Sequence, residues 1–545
     1  MASSTSLNLL SLLKSAASRS GMDARVHAVS GLTRSARAMY LATMAHGMPR
    51  GAVLFVVPAD RDIEEAVADT RFFLAALEGL SAQATEQAVL PLPSHEVDPY
   101  RGMTPHFGVV SARARALYAL ATGTARVVVA SGPALMPRVS VPDRLRRAGL
   151  ELQPGQDIAP SDLAELLTDA GFTREDPADS HGEFALRGGI LDVYPASEAQ
   201  PVRLEFLGDT IETLRTYDPA TQRSTAAVDR LTIVPLRDRL GDDLGATVFD
   251  YLAQARESRV VVAERDEVQA ALDKVREQAE RSYEMSGGDD PDDAGDAEAY
   301  DEWTRLSAED DPEDRELVRA KPGRRRSARR STLPPPAVLF ADAELLTSRL
   351  TAAVQVSELG LEDGEAPAGK AIRTQPVVEM HGRIPEWVAE LRRIKDAGEQ
   401  ALFVAASAGR AERTIELLKE YDLFAVPIDR AEEARYAAVL VATGQLSHGF
   451  RLPDAGLHIF AETDLFDEER RGAERRSASK AFLSDLRDLK IGDLIVHVDH
   501  GIGVFVGLKQ LGLGPSGSGG DAQEFLELRY AGEDKLFVPV ERLDL

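Results

Sequence analysis

The pattern GLTRSARA at residues 31–38 stands where a nucleotide-binding protein grips phosphate: it follows a short apolar run and opens a helical stretch, AVSGLTRSARAMYLATMAHG (28–47). A phosphate loop sets Gly, four residues, then Gly-Lys-Ser/Thr. Its glycines admit phosphate to the backbone, the lysine pairs with it, and the hydroxyl holds magnesium. On that spacing Gly31 keeps the first position, but Ala36, Arg37 and Ala38 occupy the last three. A methyl group fills the place of close approach, the magnesium hydroxyl is gone, and Arg37 carries charge without the compact ammonium of lysine. The loop therefore reads as degenerate and unable to hydrolyse ATP. A second match, GEAPAGKA (364–371), has Gly369 and Lys370 but ends in Ala371, with no buried strand leading into it. It reads as a loop.

A different chemistry lies in HGEFALRGGILDVYPASEAQPVRLEFLGD, from His181 to Asp209. Two apolar runs, Gly189 to Tyr194 and Val202 to Phe206, predict a β-ribbon. Arg187 precedes a Gly-Gly pair, and Glu205 sits beside Phe206. An exposed aromatic flanked by charges of both signs suits a protein-docking surface, since the ring supplies area and the charges supply register. The competing reading is a structural hairpin with a solvated polar face and Phe206 packed inward. No metal or nucleophile constellation stands out. His497 and His500 lie in a strand-turn, Glu462 and Asp464 at a strand end, and there are no cysteines.

These stretches need a large scaffold. At 545 residues the chain is too long for one core, and ordinary domain sizes suggest roughly three to five domains. A formal charge of −26 opposes non-specific coating of nucleic acid. No run approaches the ~20 apolar residues that span a membrane, so a cytoplasmic location is expected. AVLFVVPAD (52–60) and ARVVVASGPALM (125–136) predict buried parallel strands with helices between them. The chain divides into an α/β domain over 1–146, a β-rich domain over 147–235 and a completion of the first module over 236–376. A second α/β domain over 377–466, a charged linker over 467–486 and a small β segment over 487–545 follow. Between Glu284 and Glu316 fifteen acidic residues face two arginines, and Arg319 to Arg330 holds seven Lys or Arg. This stretch, about 284–332, reads as a disordered insertion.

The order of these parts resembles the N-terminal half of the bacterial transcription-repair coupling factors, the Mfd family. FALRGGILDVYP…PVRLEFLGDTIETLRTYDPATQRS (184–224) is similar to the domain that family shares with excinuclease B. VHVDHGIGVFVGL…EFLELRYAGEDKLFVPVERL is similar to its RNA-polymerase-interacting module, shared with CarD-type factors. The resemblance implies an α/β multidomain fold. Its parts are a degenerate RecA/helicase-like module with an inserted β-rich domain, a second α/β domain, and a C-terminal small SH3/Tudor-like β-barrel. It also implies transcription-coupled repair: recruiting excinuclease A to stalled RNA polymerase, which the chain would hold through the polymerase β subunit.

Carried onto matching positions, the excinuclease A contacts fall on Arg174, Arg187, Glu205 and Phe206. Ala185 stands where the helicase version has a further arginine. β-Augmentation on polymerase falls on the edge VFVGLKQL (504–511), at Leu508, Lys509, Gln510 and Leu511. ATP and magnesium, and most DNA contact, belong in the family to a translocase motor that follows this module. The chain is therefore expected to be a piece without that motor, with no cofactor of its own and no membrane contact. An excinuclease-B-type ATP-dependent DNA helicase and a CarD-like transcription regulator are the alternatives. The first conflicts with Ala36, Arg37 and Ala38; the second leaves 150–235 unexplained.

Overall fold

A computed structural model describes residues 9–466, with breaks at 102–104, 288–333, 359–368 and 429–436 and at single loop positions, and then the strands of a terminal sheet. Ala52–Val57 and Val127–Ser131 are buried at every position, as strands covered on both faces must be. They lie in a seven-stranded sheet whose pairs are all parallel. Its order is Lys370–Ala371, Ala28–Ser30, Val354–Ser357, Ser258–Ala263, Ala52–Val57, Val127–Ser131 and Val89–Leu92. Chain from before residue 150 and chain from after residue 236 are thus interleaved, with Ser258–Ala263 between strands from both halves. Alternation assigns the faces: Val53, Phe55 and Val57 enter one core, and Leu54 and Val56 the other.

The first core holds the helices Leu9–Ser20, Arg34–His46 and Ile63–Glu78. Gly79, left-handed at φ 67°, ends the last of these. Their far side meets a second, six-stranded sheet, ordered Gln375–Pro376, Phe450–Leu452, Leu457–Ala461, Gln400–Ala405, Val439–Thr443 and Ala425–Pro427. Leu402, Val404, Leu440 and Phe450 from that sheet join the same core as Val53 and Phe55. The rings of Phe73 and Phe450 lie 6.0 Å apart. One polar contact crosses here as well: buried Asp69 accepts from the Ser447 N–H and hydroxyl, both at 2.6 Å. The second sheet's other face packs on Trp387, Leu391 and Leu418.

Two sequence expectations need correction. Lys370–Ala371 is an edge strand paired with Val29–Ser30, not a loop, because its backbone groups complete the sheet; residues 364–368 lie outside the described residues. The helix Arg265–Gly287 runs through the first residues of the expected insertion, and 288–333 and the linker 467–486 lie outside the described residues. The terminal strands Leu494–His497, Gly501–Gly512, Ala522–Arg529 and Lys535–Pro539 form a separate antiparallel sheet in chain order. Among the described residues no helix is long and apolar enough to cross a membrane.

Replacing Phe73 by Ala should cost about 3–5 kcal/mol, and urea unfolding of residues 1–466 should remain one transition, since that ring lies in the core common to both sheets. Two resolved transitions would contradict the shared core. Burial raises the Asp69 pKa from 3.8 to about 6, so the folded chain holds a proton that the unfolded chain has released. The resulting stabilisation is fully present below pH 3.8 and is lost as pH rises through about 6. Asp69→Asn should flatten that part of the stability–pH curve; an unchanged slope between pH 4 and 6 would show that Asp69 does not contribute it.

Candidate functional site

The strand Ala28–Ser30 leads through Gly31, at φ 83°, into the helix Arg34–His46, the local geometry of a phosphate loop. What surrounds it is protein. A Cβ on Gly31 would lie 2.4 Å from the Ile372 carbonyl oxygen, so the glycine admits a returning strand where a phosphate loop admits phosphate. The Thr33 N–H donates to Thr374 Oγ1 at 2.8 Å, and that hydroxyl donates to the Gly31 carbonyl at 2.6 Å. The Leu32 N–H is taken by the Ser357 carbonyl. Ala36 and Ala38 are buried.

Arg37 is buried too. Its Nε donates to the Leu32 carbonyl at 3.2 Å and its Nη2 pairs with Glu264. The Glu358 carboxylate is 3.8 Å away, and Glu264 also accepts from the Glu358 N–H at 2.9 Å. The anion facing this arginine is therefore the protein's own carboxylate, and two acidic side chains would repel a triphosphate at that place. Glu264 holds a left-handed backbone, φ 46°, a costly conformation for a residue with a Cβ.

The β-rich region builds a six-stranded sheet, ordered Arg223–Ala227, Thr210–Asp218, Val202–Leu207, Ile190–Val193, Glu183–Arg187 and Thr173–Arg174. Only the last pair is parallel. Its inner face, including Phe184, Leu191, Val202, Leu204 and Leu214, packs on Leu163 and Leu167 of the helix Pro160–Asp169. Register defines the outer face as two rows, Ala185–Asp192–Arg203–Arg215 and Arg187–Ile190–Glu205–Thr213.

In the first row Asp192 is buried and grips Arg203 through two bonds of 2.7 and 2.9 Å. The guanidinium lies 5.0 Å above the Tyr217 ring, and the Tyr217 hydroxyl donates to the Ala178 carbonyl. Residues 176–178 are thus folded over this face. In the second row Arg187 clamps Asp176 through Nε, at 2.9 Å, and Nη2. That carboxylate holds the Arg187 pKa above its ordinary value, as Asp192 does for Arg203.

The four expected excinuclease A contacts converge on one end of this sheet, around the turns at Gly188–Gly189 and Gly208, but not on one face. Arg187 and Glu205 share the outer face with Ile190 between them, and Glu205 accepts from the Thr213 hydroxyl at 2.8 Å. Phe206, being the next residue, faces inward. It is half-buried against the domain core, not the exposed aromatic expected, and its N–H donates to the Gly189 carbonyl at 2.8 Å. Arg174 lies exposed on the edge strand, its guanidinium 3.4 Å from the Leu186 carbonyl. Ile190 and Leu207, not singled out by the sequence pattern, are 38% and 73% exposed at the same end. The available signal was an apolar residue placed directly against a glycine turn. Ala185 is buried beside Asp192.

Elsewhere the acidic pair caps strand ends: Asp464 accepts from the Gly449 and Ala461 N–H groups at 2.8 and 2.7 Å, and Glu462 from the Ala406 N–H. His497 lies in a strand opposite Gly501, and His500 lies outside the described residues. Among the described residues no group of three or more His, Asp or Glu is placed to hold a metal. In the terminal sheet, Leu508, Lys509, Gln510 and Leu511 pair with Leu526, Phe525, Glu524 and Gln523. The strand on their other side reaches only Gly501 to Val504. This half of the long strand therefore has a neighbour on one side only among the described strands.

Comparison with known proteins matches three of these regions: residues 150–238 to the UvrB interaction domain, 394–465 to the MFD D3 domain, and 489–545 to the CarD-like/TRCF RID domain. A phosphate-loop geometry filled by protein and these three domains on one chain define a multidomain α/β protein. The transcription-repair-coupling factor of Myxococcus xanthus is 30% identical over 94% of this chain and 45% of its own length. That of Escherichia coli K12 is 27% identical over 85% and 41%, and that of Bacillus subtilis 22% over 95% and 44%. The chain belongs to the transcription-repair-coupling factor family, and it spans a little under half the length of these relatives.

Arg187→Ala breaks a solvent-exposed pair and should change stability by less than about 1 kcal/mol. Arg37→Ala removes a buried guanidinium, leaves the partly exposed Glu264 carboxylate and the Leu32 carbonyl without their donor, and should cost about 1–3 kcal/mol, without creating MgATP binding in calorimetry. Equal losses in urea titrations of the two variants would contradict the assignment of Arg37 as the internal plug.

Proposed function

We propose that this chain is a non-catalytic adapter for transcription-coupled repair. One surface, the sheet end carrying Arg174, Arg187, Glu205 and Phe206, receives excinuclease A. The other, the one-sided strand at Leu508 to Leu511, adds to an edge of the β subunit of RNA polymerase. Joining the two in one chain raises the effective concentration of the repair factor at a stalled polymerase. The observation that carries this reading is the presence of a UvrB interaction domain and a CarD-like/TRCF RID domain on one chain.

In this reading the terminal strands belong to a small SH3/Tudor-like barrel, and the domains divide near residues 146, 235, 376 and 466. The degenerate loop takes neither ATP nor magnesium, and the protein works in the cytoplasm. The ATP-driven translocation that the resemblance implies, with most DNA contact, is assigned to none of the sites described. The helicase alternative is opposed by the Arg37–Glu264 pair, which occupies the place of the phosphate.

The test uses purified partners. Arg187→Ala combined with Phe206→Ala should weaken excinuclease A binding at least about tenfold, or about 1.4 kcal/mol, with the far-ultraviolet dichroism retained. Leu511→Glu should weaken binding of the polymerase β fragment to the same degree and leave excinuclease A binding intact. Retained affinity in either folded variant refutes that surface.

A further inference from the structure

Leu207, at the end of the six-stranded sheet of the β-rich region, is the most exposed large apolar side chain among the described residues, at 73%. Ile190, on the neighbouring strand, is exposed as well. Register puts the two on one face. Ile190 pairs with Glu205, and Leu207 lies two residues further along the strand of Glu205. With a period of two, Leu207 therefore shares the outer face with Arg187, Ile190 and Glu205. Phe206, between them, pairs with buried Ile211 and packs on the domain core, which neither Leu207 nor Ile190 joins.

The turns leave this pair uncovered. The Phe206 N–H reaches the Gly189 carbonyl, so Leu207 comes next to the Gly188–Gly189 turn, which has no side chain to shade it. A Cβ added at Gly188 or Gly208 would meet nothing within 4 Å. Both glycines are left-handed, at φ 61° and 66°, a conformation that disfavours any residue with a Cβ. The turns thus stay bare for a backbone reason.

The polar groups around the pair already have partners within the chain. Arg187 is clamped by Asp176, Glu205 accepts from the Thr213 hydroxyl, and Arg174 approaches the Leu186 carbonyl. Exchanging one exposed ion pair for another gains little, whereas an apolar side chain is favoured in proportion to the area removed from water. An apolar centre inside a polar rim is where interface energy concentrates. The occupant follows from position, because Leu207 and Ile190 are continuous with the charged residues assigned to excinuclease A.

We infer that Leu207, with Ile190 beside it, is the apolar anchor of this surface and enters a recess of apolar side chains on excinuclease A. Arg187 and Glu205 form the rim, and Phe206 holds the strand from the core side. The inference rests on the adapter reading and adds the side chain that carries the affinity.

The test titrates excinuclease A into the chain by calorimetry, with urea unfolding of each variant alongside. Leu207→Ser should weaken binding at least about tenfold and leave the urea midpoint unchanged, since the side chain is exposed. Leu207→Met should restore binding to within about threefold of the parent. Leu166→Ser alters another exposed leucine of the same domain, on the helix that covers the inner face; it should change binding less than about twofold. If Leu207→Ser has no more effect than Leu166→Ser while Arg187→Ala still weakens binding, the anchor is overturned and the surface stands. Equal losses from the two serine variants would overturn it as non-specific apolar contact. If neither Arg187→Ala nor Leu207→Ser alters binding, the adapter surface fails and the anchor with it.

Discussion

The parallel pairing of Ser258–Ala263 between Ala52–Val57 and Val354–Ser357 is the contact on which the rest depends. It obliges the chain to leave the sheet after Val127–Ser131, build the β-rich domain, and return. The exit and re-entry are stitched together where Val139 and Ala246 exchange backbone hydrogen bonds of 2.9 and 3.0 Å. The inserted domain is thereby held at both ends by a sheet that cannot form without it being passed over, a long loop closure repaid by two apolar cores. The same strand ends at Ala263, so the next residue, Glu264, is delivered to Arg37. Closing the sheet and filling the phosphate position are one structural event.

In the adapter reading, that coupling is how a nucleotide-binding architecture serves as a scaffold. A loop that binds phosphate leaves backbone donors and a cation unpaired until ligand arrives. Here Thr374, Ser357, Leu32 and Glu264 satisfy them from within. What remains for recognition is at the periphery: a sheet end with charge on one face and apolar side chains at its turns, and a strand with one side unpaired among the described strands. Both suit protein partners, which are recognised by apolar anchors with charged surroundings or by backbone pairing.

Much of this was legible in the sequence, and the reasons differ by element. The buried strands announced themselves because AVLFVV and VVVAS are apolar throughout, and the departure from a phosphate loop was visible at Ala36, Arg37 and Ala38. The partner of Arg37 was not, because Glu264 lies 227 residues away and only the sheet's order brings it near. Nor was the joining of Asp69 to Ser447, 378 residues apart. The inward orientation of Phe206 has a simpler reason. Reading Glu205 and Phe206 as one patch overlooks the period of two, which sends adjacent strand residues to opposite faces. Leu207 and Ile190 escaped notice because apolar residues beside turns resemble ordinary strand ends.

The central claim is that two surfaces on one chain join polymerase to the repair machinery without nucleotide. It is tested most directly by immobilising the polymerase β fragment and measuring retention of excinuclease A in the presence and absence of this chain, with no ATP. The account predicts retention only when the chain is present, saturating at one excinuclease A binding unit per chain. Failure to retain it although each partner binds the chain separately, or a requirement for ATP hydrolysis by the chain, would contradict the account.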